Sequence, residues 1–253
     1  MNYREKLYAD YASHFDPEKT PPSPAVLRTF EKLHAPFLHF SPAASVAEIG
    51  CGKGEWLLWL ASQGYRNLCG VDLASDLLLH LQQKNIPCYH ENGIDFLAAR
   101  ENGFDLIHGR DVIEHMTKDE ALSFCTRAHH ALKEEGELWL STFNAQAPLS
   151  NFIRWGDFTH ELGLTPSSAR QLLSAAGFKD IRIFGMHVLP DSFKGRLRAS
   201  FCIAVGWMAS FLLQMRYGRP SRKEFATCLP DLFIIAKKQP GIDRAAALPP
   251  ASS

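Results

Sequence analysis

Short apolar runs alternate with helix-like segments over residues 45–143. An apolar run of about four to eight residues predicts a buried strand, whereas apolar positions three and four apart predict a helix. On this pattern, strands are predicted at 46–49, 67–72, 86–91, 104–109 and 136–143. Because alternating strands and helices connect by right-handed crossovers, we predict an α/β fold with a doubly wound, Rossmann-like, mostly parallel sheet.

Two later strands, predicted at 178–184 and 230–237, bring the sheet to seven strands, and residues 186–229 form an insertion between them. The insertion contains an apolar helix whose large side chains share one face. The members of this face are Phe193, Leu197, Phe201, Ala204, Val205, Met208, Phe211, Leu212 and Met215. The basic residues that flank it are Lys194, Arg196, Arg198, Arg216, Arg219, Arg222 and Lys223.

Two interpretations of this helix remain open. In the first, it packs on the sheet or on a second copy of the chain in a homodimer. In the second, residues 193–217 form an interfacial helix that contacts anionic lipid headgroups or a lipid-linked substrate at the inner face of the membrane. The apolar stretch is short for a bilayer span.

The remaining parts of the chain complete the predicted organisation. Residues 1–40 form an N-terminal helical segment, either a lid over a reactive site or a surface helix, and 41–185 form the core. Residues 186–229 are the insertion and 230–238 return to the core as its last strand. The end of the chain, 239–253, is predicted to be disordered.

Composition excludes some classes of function. The 253 residues have a formal net charge of zero, so no duplex nucleic acid is expected as a partner. Six cysteines occur without any C-x-x-C pair, which favours reduced cysteines over a disulfide framework or a zinc site. The N-terminus begins no apolar signal segment, and a cytoplasmic protein is expected.

A glycine-rich stretch, Glu48-Ile-Gly-Cys-Gly-Lys-Gly54, joins the first strand to the next helix. Glycines at alternate positions remove the Cβ atoms that would keep a ligand away from the backbone. They also permit the tight turn that directs a helix N-terminus towards a bound nucleotide. Asp72 ends the second strand about twenty residues later, where nucleotide-binding folds place a carboxylate that accepts hydrogen bonds from ribose. The alternative role for Asp72 is to cap the helix near Ser75.

The pattern resembles the first motif of class I S-adenosylmethionine (SAM)-dependent methyltransferases. Two later stretches also resemble this family: F-D-L-I followed by x-x-V-I-E-H at 104–115, and T-H-x-x-x-L-T-P with L-L-x-x-A-G-F at 159–178. The resemblance implies a last strand that is antiparallel and SAM as the cofactor. It assigns these residues to the cofactor: Glu48, Gly50, Cys51, Gly52, Gly54, Asp72, Leu73, Asn92, Gly93, Ile94, Arg110, Asp111 and Val112. In the family the turn at 92–95 contacts adenine, and either Asn92 or Asp95 can accept the hydrogen bond from its amino group.

The predicted site residues lie at the carboxyl ends of predicted strands, which is where open α/β sheets bind ligands. The candidate catalytic residues are His115, which follows the fourth strand, and His160, which lies in a long loop after the fifth. Either histidine could act as a general base near neutral pH. The same loop carries Phe152, Trp155 and Phe158, which could stack on a ring.

A metal site is the more specific hypothesis for this region. Asp111, Glu114, His115 and His160 offer oxygen and nitrogen ligands that suit Mg²⁺ or Mn²⁺. The arrangement resembles the metal sites of small-RNA 2′-O-methyltransferases and of ubiquinone-pathway O-methyltransferases. The sequence favours a metal-free site, in which Glu114 and His115 cap a helix and bind backbone amides.

These features predict transfer of a methyl group to an oxygen of a small-molecule or glycan acceptor. The preferred acceptor is a sugar hydroxyl, either lipid-linked or in a surface polysaccharide. A quinone-like or phenolic acceptor is the first alternative. A non-catalytic SAM-binding scaffold protein is the second.

Overall fold

Seven strands form one sheet in the computed structural model, which describes residues 24–186, 192–218 and 227–240, together with Leu7. The strands are β1 (Ser45–Ile49), β2 (Asn67–Asp72), β3 (Cys88–His90), β4 (Phe104–Arg110), β5 (Leu132–Phe143), β6 (Asp180–Met186) and β7 (Asp231–Lys237). Their order across the sheet is β3-β2-β1-β4-β5-β7-β6. The first five strands are mutually parallel, and β7 is antiparallel to both β5 and β6. The predicted fold class is therefore confirmed.

Helices connect the strands and cover the sheet. They are α1 (Pro24–Thr29), α2 (Glu55–Ser62), α3 (Ser75–Gln83), α4 (Gly93–Ala98), α5 (Lys118–Ala131), α6 (Ser150–Arg154), α7 (Pro166–Ala175) and α8 (Phe193–Tyr217). The chain continues α1 as a wider π-helical turn at Phe30–His34 and a 3₁₀ turn at Ala35–Phe37. A second 3₁₀ turn, Ile113–His115, follows β4.

Both faces of the sheet are buried, as expected for parallel strands with crossover helices. On one face, Phe30 and Trp56 from the α1–α2 side pack with Trp139 of β5. On the other, Ile107 of β4 packs with Phe124 of α5. This double burial explains why the strands are continuous apolar runs in the sequence.

Local capping explains where several helices begin. The Thr117 hydroxyl and the Glu120 side chain form a capping box at the start of α5. At α4, the Asn92 side-chain oxygen accepts a hydrogen bond from the Ile94 backbone N–H at 2.8 Å. The sequence predicted only a turn after β3, and it also missed the short helix α6.

Helix α8 turns its large apolar side chains away from the domain. Its buried residues are Gly195 and Gly206, and a Cβ atom at Gly206 would lie 2.9 Å from the Cys228 carbonyl oxygen. The part of the first interpretation in which the large apolar face packs on the sheet is therefore wrong, whereas packing on a second copy of the chain stays a prediction. The expectation that the segment is too short for a bilayer span also needs correction. By length and composition, α8 is long and apolar enough to cross a membrane.

Several predictions fall outside the described residues. These are the lid at 1–23 except for Leu7, the two ends of the insertion at 187–191 and 219–226, and the tail from 241. The basic residues Arg219, Arg222 and Lys223 belong to this group. Those predictions stay as predictions.

Candidate active site

The glycine loop presents bare main chain at the carboxyl edge of the sheet. Gly50, Gly52 and Gly54 all have positive φ angles, of 67°, 49° and 71°. A Cβ atom at Gly52 would meet nothing within 4 Å, so this residue opens onto empty space. At Gly50 a Cβ atom would lie 2.9 Å from Val112 Cγ2, so the loop also packs tightly against the end of β4. The loop thus combines left-handed backbone, which only glycine adopts cheaply, with room for a ligand.

The Asp72 carboxylate is fixed beside this loop by two backbone donors. The Gly52 N–H donates to Oδ2 at 2.7 Å, and the Ala74 N–H donates to Oδ1 at 2.8 Å. Each carboxylate oxygen keeps further acceptor capacity. Asp72 is half-buried, and the neighbouring Leu73 side chain is exposed at the same edge. A carboxylate held in this way is suited to accept hydrogen bonds from two vicinal hydroxyl groups.

The turn after β3 lies at the same edge. Asn92 and Asp95 are both exposed, and Gly93 and Ile94 are partly buried between them. The Asn92 amide oxygen is already used as the cap of α4. Its amide NH₂ group remains a donor, whereas Asp95 offers only acceptors.

Glu48 and Cys51 lie beneath the loop rather than on its surface. The Glu48 side chain is buried, with Oε1 3.0 Å from the His108 Nδ1 atom, and it also accepts a hydrogen bond from the Leu57 backbone at the start of α2. Burial raises the pKa of the Glu48 carboxyl to about 8. Cys51 is buried, and its sulfur packs against Gly70 of β2. Both side chains therefore support the loop from inside the core.

The end of β4 places a cation and a carboxylate near the loop. The Arg110 Nη2 atom donates to Glu55 Oε2 at 2.9 Å, which joins β4 to the first turn of α2. Asp111 is exposed and has a left-handed backbone, with φ of 52°. Its N–H donates to the Ser141 carbonyl oxygen of β5 at 2.9 Å. These bonds fix the strand end from which Val112 contacts the glycine loop.

Two histidines from distant parts of the sequence meet beside this strand end. The backbone N–H groups of Glu161 and Leu162 donate to the Glu114 carbonyl oxygen at 2.8 and 3.0 Å, which docks the long loop on the 3₁₀ turn. As a result, the rings of His115 and His160 lie 4.7 Å apart between centroids. The His160 ring also stacks on Phe143 at 5.6 Å.

Hydrogen bonds determine which nitrogen of each ring carries the proton. The Thr159 hydroxyl donates to Asp157 Oδ1 at 2.7 Å, so it can only accept from His115 Nδ1, at 2.8 Å. His160 Nδ1 lies 3.1 Å from the Ile153 carbonyl oxygen, which can only accept. In its neutral form each ring therefore carries the proton on Nδ1 and the lone pair on Nε2.

Comparison with known proteins places this geometry in a family. Residues 16–183 match the family model described as a methyltransferase domain. The chain belongs to the class I SAM-dependent methyltransferases. The loop at Gly52 and the carboxylate of Asp72 fit the cofactor of this family, because one offers open space over bare backbone and the other a fixed acceptor pair.

Two of the three curated relatives reported for this methyltransferase are named for different substrates or pathways. It is 27% identical over 164 residues to an uncharacterized methyltransferase of Synechocystis sp.. It is 28% identical over 159 residues to the ubiquinone biosynthesis O-methyltransferase of Idiomarina loihiensis, and 24% identical over 152 residues to phosphoethanolamine N-methyltransferase 1 of Arabidopsis thaliana. The matches cover 60%, 56% and 57% of this chain. They cover 75%, 64% and 30% of the relatives, so the last two are covered over less than two thirds of their length.

Solved structures share the fold. A SAM-dependent methyltransferase from Archaeoglobus fulgidus aligns over 94% of this chain and 100% of its own, with a TM-score of 0.63 and 18% identity. The phosphoethanolamine N-methyltransferase 2 of Haemonchus contortus, in complex with SAM, aligns over 84% of this chain and 52% of its own, with a TM-score of 0.59 and 14% identity.

The histidine cluster of the methyltransferase differs from the predicted metal set. Among the described residues, the group of ligand atoms that lie within 4.8 Å of one another comes from His115, Asp157 and His160. Asp111 is not in this group. Glu114 is buried, accepts from the Thr142 hydroxyl at 3.1 Å and is not in the group either. Burial, with the nearby Asp111 carboxylate, raises the pKa of Glu114 to about 8, which disfavours the charged form that binds metals.

Sequence reasoning missed Asp157 and Thr159. Partial burial opposes ionisation of Asp157, but the hydrogen bonds from Thr159 and the two histidine rings outweigh it and lower the pKa of this carboxyl. A local signal was present, because an aspartate two residues before a threonine favours a turn in which its side chain accepts the backbone N–H. That bond is observed, at 2.8 Å.

Proposed function

We propose that this methyltransferase transfers a methyl group to a hydroxyl oxygen, with a sugar hydroxyl as the favoured acceptor. The observation that carries the proposal is the pair of imidazole rings of His115 and His160, which lie 4.7 Å apart beside the carboxyl ends of β4 and β5. An oxygen nucleophile reacts faster when a base removes its proton. Bound SAM supplies the methyl group on a sulfonium cation, so the remaining task of the protein is positioning and proton removal.

The hydrogen-bonded chain behind His115 supports its role as the base. When Nε2 takes a proton, the ring becomes a cation that donates from Nδ1 to the Thr159 hydroxyl. Thr159 in turn donates to Asp157, whose carboxylate is stabilised in its charged form. Asp157 thus stabilises the imidazolium through one hydroxyl group, and Thr159 fixes the ring orientation. His160 has no such chain in the hydrogen bonds described, and we assign it to orienting the acceptor.

Exposed aromatic side chains suggest a ring-shaped acceptor. Phe152, Trp155 and Phe158 are 84%, 69% and 82% exposed, in the same loop that contributes His160. Aromatic faces of this kind stack on sugar rings and on planar rings alike. The name of the Idiomarina loihiensis relative favours a quinone-like or phenolic acceptor as the second candidate. Other relatives are named as N-methyltransferases, so the test must also compare oxygen with nitrogen acceptors.

We propose that the reaction is metal-free. Two imidazole nitrogens and one carboxylate fit Mg²⁺ poorly, because it prefers an oxygen-rich octahedral shell, and they fit Mn²⁺ better. Activity that survives EDTA and does not rise when Mg²⁺ or Mn²⁺ is added supports the proposal. Activity lost to EDTA and restored by Mn²⁺ contradicts it.

The experiment that tests the proposed function measures S-adenosylhomocysteine formed with sugar, phenolic and amine acceptors. We expect turnover with a hydroxyl acceptor and a fall of roughly a hundredfold or more in His115→Ala. The matched control is His130→Ala, which removes an exposed histidine of α5. SAM affinity, measured by isothermal titration, should be equal in the wild type, His115→Ala and His130→Ala.

Three outcomes contradict the proposal. Unchanged turnover in His115→Ala removes this residue as the base. Turnover with amine acceptors alone makes the enzyme an N-methyltransferase. SAM binding with no turnover on any acceptor favours the scaffold protein.

A further inference from the structure

Helix α8 has two faces of different chemistry. One face packs on the domain at two glycines: Gly195 and Gly206 are buried, and Gly206 lies against the carbonyl of Cys228. The opposite face carries large apolar side chains that are more than half exposed. These are Phe193, Leu197, Phe201, Trp207, Met208, Phe211, Leu212 and Met215. Exposed apolar surface that is continuous along a helix marks a site of interaction.

The charges of α8 identify the partner. The helix contains Lys194, Arg196, Arg198 and Arg216, and it contains no aspartate or glutamate. At about 100° per residue, these four cations lie at the borders between the apolar face and the packed face. Cations that border an apolar stripe are complementary to anionic lipid headgroups above a hydrocarbon layer. A second copy of this helix would instead bring like charges together.

The connections of α8 exclude a crossing of the bilayer. The helix has 25 residues and is about 37 Å long. Yet β6 ends at Met186 and β7 begins at Asp231, and these two residues are paired in the sheet. The chain must therefore return from the far end of α8 to the same point. Residues 218–230 are the 13 residues that join α8 to β7. A second helical crossing needs roughly 20 residues, so a spanning arrangement leaves too little chain for the return.

The middle of the helix gives a second argument against crossing. Gly206 lies near the centre of α8, and its close contact with Cys228 holds that point on the domain. A crossing helix would place its centre, and the domain with it, in the bilayer core.

We propose that α8 lies flat at the surface of an anionic phospholipid bilayer. Its apolar face enters the boundary between headgroups and acyl chains, and its basic residues contact phosphate groups. The helix is then a monotopic anchor, attached to the domain by its small-residue face.

This anchor deepens the proposed function, on which its consequence for the acceptor rests. The Asn144 side-chain amide donates to the carbonyl oxygens of Thr227 and Leu229 at 3.0 and 2.9 Å. Gln146 donates to the Thr227 carbonyl at 3.1 Å. The segment that supports α8 is thus bonded to the start of the aromatic loop. A membrane-bound enzyme would hold this loop near the lipid surface, which suits a hydroxyl acceptor carried on a lipid.

Vesicle co-sedimentation of the full chain tests the anchor. We expect binding to vesicles that contain phosphatidylglycerol and much weaker binding to pure phosphatidylcholine. Lys194→Gln with Arg198→Gln should weaken binding about twenty-five-fold, since each basic residue contributes roughly fivefold. Phe201→Glu with Phe211→Glu should abolish it. The matched control is Leu79→Glu, an exposed leucine of α3. Equal binding of all variants, or no vesicle binding together with a dimer in light scattering, overturns the proposal.

Depth measurements distinguish a flat helix from a crossing one. Nitroxide labels at Leu197→Cys, Ala204→Cys and Met215→Cys, each with the exposed Cys202 changed to Ser, lie on one face of α8. A flat helix gives the same shallow depth at all three sites. A deep central label between two shallow ones overturns the proposal. SAM affinity is measured on the same proteins, so that a failed anchor is separated from a failed cofactor site.

Discussion

Replacing Glu48 by glutamine removes a carboxyl group that the fold keeps protonated at neutral pH. Glu48 is buried beneath the glycine loop beside His108. Glutamine has nearly the same shape, so the contacts of the loop are retained. The substitution therefore isolates the energetic effect of ionisation.

Burial raises the pKa of Glu48 from 4.5 to about 8. Because this is a raised acid pKa, the folded protein binds one more proton than the unfolded chain between these two values. The carboxyl group therefore lowers stability as pH rises from 4.5 to 8, and the loss is complete above the folded pKa. Between pH 6 and pH 9, only the two pH units below the folded pKa of about 8 contribute. The free energy of unfolding therefore falls by about 3 kcal/mol over this range.

Urea unfolding of the wild type and Glu48→Gln at pH 6 and pH 9 measures this change. We expect the free energy of unfolding of the variant, relative to the wild type, to rise by about 3 kcal/mol between the two pH values. The range begins at pH 6 because burial also lowers the pKa of His34 to about 3, so this histidine destabilises the fold in acid. Glu101→Gln, at an exposed carboxylate, is the control. If the free energy of unfolding of Glu48→Gln differs from that of the wild type by the same amount at both pH values, the pKa of Glu48 is not raised by the fold.

The other predictions concern the site and helix α8. Thr159→Val removes the hydroxyl behind His115 and should lower kcat about tenfold with unchanged SAM affinity, measured by steady-state kinetics and titration; a change in affinity alone contradicts the chain of hydrogen bonds. Asp72→Asn should weaken S-adenosylhomocysteine binding about tenfold or more by titration calorimetry, whereas Asp119→Asn, at an exposed position of α5, should not. Gly206→Val should lower Tm, because the new side chain meets a backbone carbonyl; an unchanged Tm contradicts the packing of α8.

The structure brings the glycine loop and Asp72, which were predicted for the cofactor side, to one edge of the sheet, and the sequence signals for this arrangement are local. The glycine loop requires left-handed backbone at fixed positions, and Asp72 follows at the end of the next strand. Because β1 and β2 are parallel, the glycine loop and Asp72 lie at the same edge of the sheet, independently of the loops elsewhere in the chain. The sequence could not show that the side chains of Glu48 and Cys51 point into the core. Successive side chains of a strand point to opposite faces of the sheet, but this alternation does not tell which residues face the ligand.

The acceptor side depended on tertiary contacts. The predicted metal set took Asp111, Glu114 and His115 from one short stretch and added His160 from the loop. The 3₁₀ turn buries Glu114, and the docked loop brings Asp157 to the two histidines. That docking uses backbone hydrogen bonds that no side-chain pattern reveals. For α8, the periodicity predicted a face but not its direction, which the small residues Gly195 and Gly206 decide.

The most direct test of the cofactor site compares two glycines. Gly52 and Gly64 both have positive φ, of 49° and 92°, and a Cβ atom at either would meet nothing within 4 Å. Alanine at either position therefore adds backbone strain of about 1 kcal/mol or more, and the strain is larger at Gly64, whose φ lies farther from the left-handed region that other residues adopt. Of these two glycines, Gly52 lies in the loop assigned to the cofactor.

Titration calorimetry with S-adenosylhomocysteine then measures affinity in the wild type, Gly52→Ala and Gly64→Ala. We expect wild-type affinity in Gly64→Ala and at least a tenfold loss in Gly52→Ala, with both variants folded. Equal affinity in all three proteins would contradict the assignment of the cofactor to the glycine loop.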